Sequence, residues 1–294
     1  MDLKFKIDKK FNNTKLSDYL KTEAGLSTRI IRKSLKEQRV LVNGDVKRAR
    51  YNLLENDEIV IKMNTEETQD ISAENIPIDV VYEDEDILVV NKPPFMVVHP
   101  TRSHQTGTLS NAVTYYFRSR GENTIIRLVN RLDRDTSGLV IIAKSQYAHM
   151  AMAKKMQNNE IEKSYIAVVK GELIGEDTIN KPIGRPSQDS LKRCVMEDGQ
   201  SAITHYKSLL HSKDMSKVEV KLETGRCHQI RVHMESLNHP IIGDTLYGSE
   251  SELIQRQALH AYKLKFNTIR DNTPLEIIAK LPSDLENLIN EIRK

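Results

Sequence analysis

The sequence has no tryptophan, and aromatic residues make up only 5% of its 294 positions. That scarcity argues against a fold built on stacked aromatic repeats, and no internal repeat is visible. Cysteine is as rare. Cys194 and Cys227 are the two present, neither at CxxC spacing, so a disulfide framework and a cysteine-based zinc site are both disfavoured and two free thiols in a reducing cytoplasm are expected. The nine histidines are scattered and give no HxxxH pair with an acid between, which argues against a metal centre. No apolar run approaches the ~18 residues a membrane helix needs. The N-terminal stretch MDLKFKIDKKFNN lacks the apolar centre of a secretory signal. A P-loop, a GxGxxG turn and a GxSxG elbow are also missing, which leaves nucleotide-dependent and serine-hydrolase chemistry without their usual marks.

Charge is present and unevenly placed. The formal net charge is only +3. Between Leu26 and Arg50, however, eight basic side chains face two acidic ones, Glu37 and Asp45, for a local +6. Between Asn64 and Val90 there are nine acids and no base. Such segregation bears on what the chain binds, not on its fold.

Residues 13–63 read as a self-contained unit. TKLSDYLKTEAG predicts a short helix with Leu16, Tyr19 and Leu20 inward, ending near Gly25. Ser27 is placed to cap a second helix running to about Glu37. Arg29, Arg32, Lys33 and Lys36 fall at i, i+3, i+4 and i+7 of that helix and share a face, while Ile30, Ile31 and Leu35 lie on another. VLVNGDVKR predicts a strand, an Asn-Gly turn and a strand, and DEIVIKM a further strand. Lys47, Arg48 and Arg50 of the hairpin add to the helical bases. A basic face is most often only a solvated surface; here its imbalance points to phosphate, and hence to a nucleic-acid partner.

Residues 64–75, polar, acidic and aperiodic, read as a flexible linker. Residues 76–294 then mix short strands with helices over SNAVTYYFRS, YAHMAMAKKMQNN and LENLINEIRK. Regular βαβ alternation is missing, so the expected class is α+β, with a mixed, largely antiparallel sheet beside the small α/β unit at the N-terminus.

Three stretches of the larger unit could carry chemistry. In NRLDRDTSGLV, residues 130–140, Asp133 and Asp135 precede a turn expected at Thr136-Ser137-Gly138 that feeds a buried strand. Arg131 and Arg134 sit beside them. A carboxylate at a strand mouth is rigidly held, and a neighbouring guanidinium keeps it ionised. A structural Asp–Arg pair reads equally well from this stretch alone. ETGRCHQIRVHM, residues 223–234, reads as a strand or a short helix; an extended chain would put Arg231 and His233 on one side and His228, Ile230 and Val232 on the other. A buried arginine there needs a carboxylate, which Asp133 or Asp135 could supply. In EKSYIAVVKGEL, residues 162–173, Tyr165 reads by itself as a core residue.

Taken together, these stretches resemble the RluA-type RNA pseudouridine synthases. The resemblance also takes in EDEDILVVNKPPFMVVHP (83–100), HPIIGDTLYG, LHAYKLKF and LPSD, and so spans nearly the whole chain. Residues 13–63 look like the αL RNA-binding domain that many of these enzymes carry at the N-terminus. The resemblance implies isomerisation of uridine in RNA, ribosomal RNA before transfer RNA, by a cytoplasmic monomer with neither cofactor nor metal. It implies Asp133 as the essential aspartate, with Tyr165 and Arg231 as its active-site companions. It implies Arg131 as the residue that fills the gap left by a flipped base, and Ile230 as part of the uracil pocket. Arg29, Arg32, Lys33, Lys36, Lys47, Arg48 and Arg50 are the expected RNA-binding residues. Two positions depart from the pattern: Asn130 stands where many relatives have His, and Phe95 where they have Gly. A glycine-type conformation at Phe95 would be strained. Two other classes compete with this reading: a catalytically inert RNA-binding factor, and a metal-dependent phosphodiesterase using the acids of 83–86.

Overall fold

The computed structural model describes residues 2–26, 28–62, 69–101 and 103–293. The chain divides into two compact units, Met1–Gln69 and Asp70–Lys294.

The first unit contains β1 (Asp2–Lys6), α1 (Leu16–Thr22), α2 (Thr28–Lys36), β2 (Val40–Val42), β3 (Asp45–Val46) and β4 (Glu58–Lys62). Its sheet has the order β1-β4-β2-β3 with every pairing antiparallel. Strand β1 pairs with β4 over five residues, from Asp2↔Lys62 to Lys6↔Glu58, so the unit takes in chain ahead of residue 13. The lysines of DLKFK had hidden a strand that buries only Leu3. Asn43 and Gly44 link β2 to β3 with φ of 53° and 86°, the twist that a two-residue hairpin requires. Leu16, Tyr19 and Leu20 are buried. On α2 the buried set is Ile30, Ile31 and Ser34, with Leu35 only half-buried. The expected cap at Ser27 lies outside the described residues, as do residues 63–68 of the acidic stretch. Residues 70–75, expected to be linker, instead lie on the larger unit. Ile71 is 6% exposed in its core, Asn111 Nδ2 donates to the Ser72 carbonyl at 2.8 Å, and Glu74 accepts from the Gly107 amide at 3.0 Å. One apolar side chain and two hydrogen bonds outweigh the tendency of an acidic segment to stay solvated.

The second unit comprises β5 (Asp79–Glu83), β6 (Ile87–Lys92), α3 (Leu109–Ser119), β7 (Arg127–Leu128), β8 (Ser137–Ala143), α4 (Gln146–Gln157), β9 (Glu162–Lys170), β10 (Glu176–Asn180), β11 (Ile183–Gly184), β12 (Cys194–Val195), β13 (Ile203–His211), β14 (Met215–Leu222), α5 (Gln229–Glu235), β15 (Leu259–Asn267), β16 (Pro274–Ile278) and α6 (Ser283–Glu291). Ten of these strands form one sheet in the order β10-β13-β14-β9-β15-β8-β6-β5, with β16 added on β15 and β7 on β8. The pairing of β8 with β15 is parallel and the others are antiparallel. Strand β15 had not been read from the sequence, because lysines interrupt LHAYKLKF, yet it lies at the centre.

Strands β6 and β8 are covered on both faces. Leu88, Val90, Val140 and Ile142 pack into one apolar cluster, and Ile87, Val89, Leu139 and Ile141 into another. This is the strand period of two, with both faces apolar. Burial of each such side chain stabilises by about 1.5–3 kcal/mol, so the loop entering β8 is anchored to a strand buried on both faces.

Candidate active site

The turn at the mouth of β8 is closed by Arg134 and Asp135, with the Thr136 amide donating to the Asp133 carbonyl at 3.2 Å. Thr136-Ser137-Gly138, expected to be the turn, instead enters the strand and locks it to β15. Gly138 pairs with Ala261 at φ of +118°, and a Cβ there would stand 2.2 Å from the Ala261 carbonyl oxygen. No other residue permits that approach. Gln257 Nε2 donates to Thr136 Oγ1 at 3.1 Å, Ser137 Oγ contacts His260 Nδ1 at 2.9 Å, and Arg256 Nη1 donates to the Asp135 carbonyl at 3.1 Å. From the other side Lys92, with no exposed surface, donates to the carbonyls of Pro93, Met96 and Arg134, each at 2.9 Å. Burial lowers its pKa to about 7. The Thr-Ser-Gly run and the Lys-Pro-Pro-Phe run thus hold the Asp133 loop in place.

Arg231 reaches Asp133 from α5. Its Nη1 donates to Asp133 Oδ2 at 3.0 Å, while Nε and Nη2 donate to the two oxygens of Asp244 at 2.7 and 2.8 Å. Asp244 is 1% exposed and also accepts from the amides of Leu246 and Tyr247. The Arg231 guanidinium lies 5.0 Å from the centre of the Tyr247 ring. Burial works against the guanidinium charge, but the hydrogen bonds and charges of Asp244 and then Asp133 overcome it and push the pKa further up. A cation is therefore fixed beside the Asp133 carboxylate, itself still open to solvent with a side chain 32% exposed. Arg134 and Asp135 form an ion pair with each other at 2.7 Å. Of the two carboxylates offered to Arg231 by the sequence, Asp133 is used and Asp135 is not. Asp244, the stronger partner, was overlooked.

The segment expected as a strand or short helix around residue 229 is helical. This places His228 and Arg231, three apart, on one side of a turn instead of opposite faces of a strand. Ile230 and Met234 point into the apolar cluster that contains Tyr165. Gln229 and the fully buried His233 are scaffold: Gln229 bonds Ile203 and Thr204, and His233 bonds Thr204 and the Lys181 carbonyl. His228, with φ of 57°, sits at the start of α5 with Nε2 3.9 Å from Asp133 Oδ2 and Nδ1 2.9 Å from the Tyr247 hydroxyl.

Tyr165, on β9, is 9% exposed, and its hydroxyl has no hydrogen-bond partner among the described residues. Burial, and then the charge of Asp133, raises its pKa, so the phenol is protonated at neutral pH. Arg131 is exposed and unpaired among the described residues. In the first unit Arg29, Arg32, Lys33, Lys36, Arg48 and Arg50 are exposed without an ion-pair partner among the described residues, whereas Lys47 is half-buried and bonded to Asp45 at 3.1 Å.

Among the described residues no three His, Cys, Asp or Glu side chains converge as a metal site requires, and no helix is long and apolar enough to cross a membrane. The acids of 83–86 are engaged in the fold. Glu83 bonds Lys144 and Tyr116, Asp84 accepts from the Asp86 and Ile87 amides, and Asp86 is gripped by Arg270.

Comparison with known proteins identifies relatives over most of the chain. The family model described as RNA pseudouridylate synthase matches residues 86–236, a span that includes Asp133, Tyr165 and Arg231 and stops short of Asp244. An RNA pseudouridine synthase of Bacillus subtilis (strain 168), YjbO, is 40% identical over 84% of this chain and 88% of its own length. Ribosomal large subunit pseudouridine synthase D of Escherichia coli (strain K12) is 35% identical over 90% of this chain and 85% of its own. The solved structure of human RNA pseudouridylate synthase domain containing 1 superposes with a TM-score of 0.59 at 27% identity, covering 77% of this chain and 97% of that one.

Proposed function

The chain belongs to the RNA pseudouridylate synthase family, and from that membership we propose that it converts specific uridines of large-subunit ribosomal RNA to pseudouridine, with Asp133 as the essential carboxylate. One observation carries the residue assignment: the open Asp133 carboxylate is paired at 3.0 Å with an arginine that a second, buried aspartate holds in place.

The reaction breaks the N1–C1′ bond, turns the uracil and joins C5 to C1′; C5 loses a proton and N1 regains one. No electrons are gained or lost overall, so the scheme calls for no cofactor. The target base first leaves its stack, at a cost of a few kcal/mol that is lowest in loops and bulges. Asp133 drives cleavage, either as nucleophile at C1′ or as base at the ribose. Arg231 pairs with it and orients it. Tyr165 packs on the uracil, and its raised pKa favours that role over removal of the C5 proton. Ile230 lines the pocket behind it, and Arg131 occupies the gap in the stack. The unpaired bases of α2 and of residues 48–50 bind phosphates, so the first unit acts as an αL-type RNA-binding domain. The enzyme acts as a monomer in the cytoplasm.

The test is to incubate the full-length protein with unmodified large-subunit ribosomal RNA and map pseudouridines chemically, with Asp133→Asn as control. Wild type should add pseudouridine at defined positions and the variant none, while both bind RNA alike. Equal activity in the two would remove Asp133 from its role, and no product from wild type would overturn the choice of RNA.

A further inference from the structure

His228 has no role in the scheme above, yet it adopts a costly conformation. Its φ of 57° and ψ of 20° lie in the left-handed region, which is strained for a non-glycine residue. The side chain does not cap α5. It contacts Tyr247 and faces Asp133.

Hydrogen-bond accounting fixes the protons. The Tyr247 hydroxyl oxygen accepts the Arg193 amide at 2.7 Å and lies 2.9 Å from His228 Nδ1. Burial raises the Tyr247 pKa, so its proton stays in place. Among the described residues that proton has one acceptor, the lone pair of Nδ1. The opposite arrangement, with Nδ1–H donating to the same oxygen, would strand a buried O–H without an acceptor, which is unfavourable. Nδ1 is therefore the bare nitrogen, and the neutral ring carries its proton on Nε2. That N–H faces Asp133 Oδ2 across 3.9 Å, too far for a hydrogen bond. Around it stand the Arg231 guanidinium, already bonded to both aspartates, Arg193, and the exposed thiol of Cys227, a weak acceptor beside the same ring.

Resting on the pseudouridine synthase reading, we infer that His228 donates its Nε2–H to an oxygen of the flipped nucleotide beside Asp133, and that Tyr247 is the positioning residue that selects this tautomer. Apart from the ring oxygen O4′, whose lone pair is drawn toward C1′ as the bond breaks, two oxygens flank the reacting carbon, the ribose 2′-hydroxyl and the uracil O2. Either can accept a hydrogen bond from a donor held next to the Asp133 carboxylate. A donor so placed acts mainly on the chemical step, and less on RNA affinity.

Two measurements test this on the full-length protein. Nitrogen-15 spectra of histidine-labelled protein should show His228 unprotonated at Nδ1 and protonated at Nε2, with Tyr247→Phe shifting the ring toward a mixture of tautomers. Single-turnover rates on a modified RNA should fall on the order of tenfold or more in His228→Asn, which tolerates the left-handed backbone but withdraws the donor. Part of the rate should return in His228→Gln, whose amide reaches nearer the Nε2 position, and RNA affinity should stay within about twofold. A 2′-deoxyuridine at the target separates the acceptors. Its rate loss and that of His228→Asn should fail to multiply if the 2′-hydroxyl is the acceptor, and should multiply if it is uracil O2. A wild-type ring protonated at Nδ1, or a wild-type rate in His228→Asn, overturns the proposal. So does a rate loss that tracks lost folded protein and is not recovered by His228→Gln, since the residue then serves only the turn. If wild type forms no pseudouridine on any RNA while the tautomer is as stated, it is the functional reading that fails.

Discussion

Asp244 grips Arg231 through both carboxylate oxygens, at 2.7 and 2.8 Å, and leaves Nη1 free to meet Asp133 at 3.0 Å. The arginine is thereby pre-set, so Asp133 does not bear the entropy of ordering it. Asp244→Ala should leave the guanidinium buried with only one partner, and breaking such a pair costs about 3–5 kcal/mol. Urea denaturation should show that loss, and product formation should fall with it. A variant within about 1 kcal/mol of wild type and fully active would show that the grip is idle.

Gly138 and Ala261 set the second constraint. Gly138→Ala places a methyl group 2.2 Å from a backbone carbonyl at a φ of +118°. Neither strand can yield, since both lie inside the sheet. The expected loss is about 3 kcal/mol or more, from overpacking and backbone strain together. A variant as stable as wild type would mean that β8 and β15 separate easily and that the Asp133 loop is not anchored there.

These two relationships mark what the sequence could carry. The alternation of Leu139-Val140-Ile141-Ile142 announces a strand buried on both faces, and the Asn-Gly turn announces a hairpin. Asp133, Tyr165 and Arg231 stand out only through resemblance to a family, because spacing alone left a structural ion pair equally open. Asp244 escaped notice although it lies in the HPIIGDTLYG stretch, because nothing local ties that aspartate to Arg231. A stricter accounting could have found it: an arginine in an apolar segment, already near one aspartate that must stay open for chemistry, needs a further buried acceptor. Helix α5 stayed open between strand and short helix because β-branched residues and a left-handed histidine at its start resemble no standard helix entry. The scaffold roles of Lys92, Thr136 and Ser137 depend on contacts with residues distant in the chain, which no local pattern encodes.

Phe95 adopts the left-handed conformation expected to be strained there, with φ of 63° and 57% of its surface exposed. Little burial offsets the strain. Phe95→Gly should raise stability by about 0.5–1 kcal/mol, the relief of strain less the added freedom of the unfolded chain. A lower midpoint in thermal denaturation would mean that ring contacts outweigh the strain.

His260 links stability to pH. It is fully buried against Ser137, and burial lowers its pKa from 6.5 to about 4. Between those values the unfolded chain binds a proton that the folded protein refuses, so stability falls as pH drops from about 6.5 toward 4 and this contribution levels off below. The full effect is on the order of 3 kcal/mol. Denaturation at pH 7 and pH 5 should show the drop in wild type and a smaller one in His260→Gln. An equal drop in both would assign the acid sensitivity to other groups.

Arg29, Arg32, Lys33 and Lys36 project from α2 without ion-pair partners among the described residues, so pairing with phosphate requires no internal bond to break. Each cation that neutralises a phosphate of single-stranded RNA displaces counterions and adds about 0.7 to the slope of log K against log salt. Replacing all four by glutamine should reduce that slope by about 3 if every one of them contacts RNA, and by less in proportion to those that do not. Glutamine preserves helix propensity, so the first unit should remain folded and the change should be electrostatic. Titrating ribosomal RNA fragments into wild type and variant between low and moderate salt measures the two slopes. Equal slopes would show that α2 presents an ordinary solvated face and that RNA is held elsewhere.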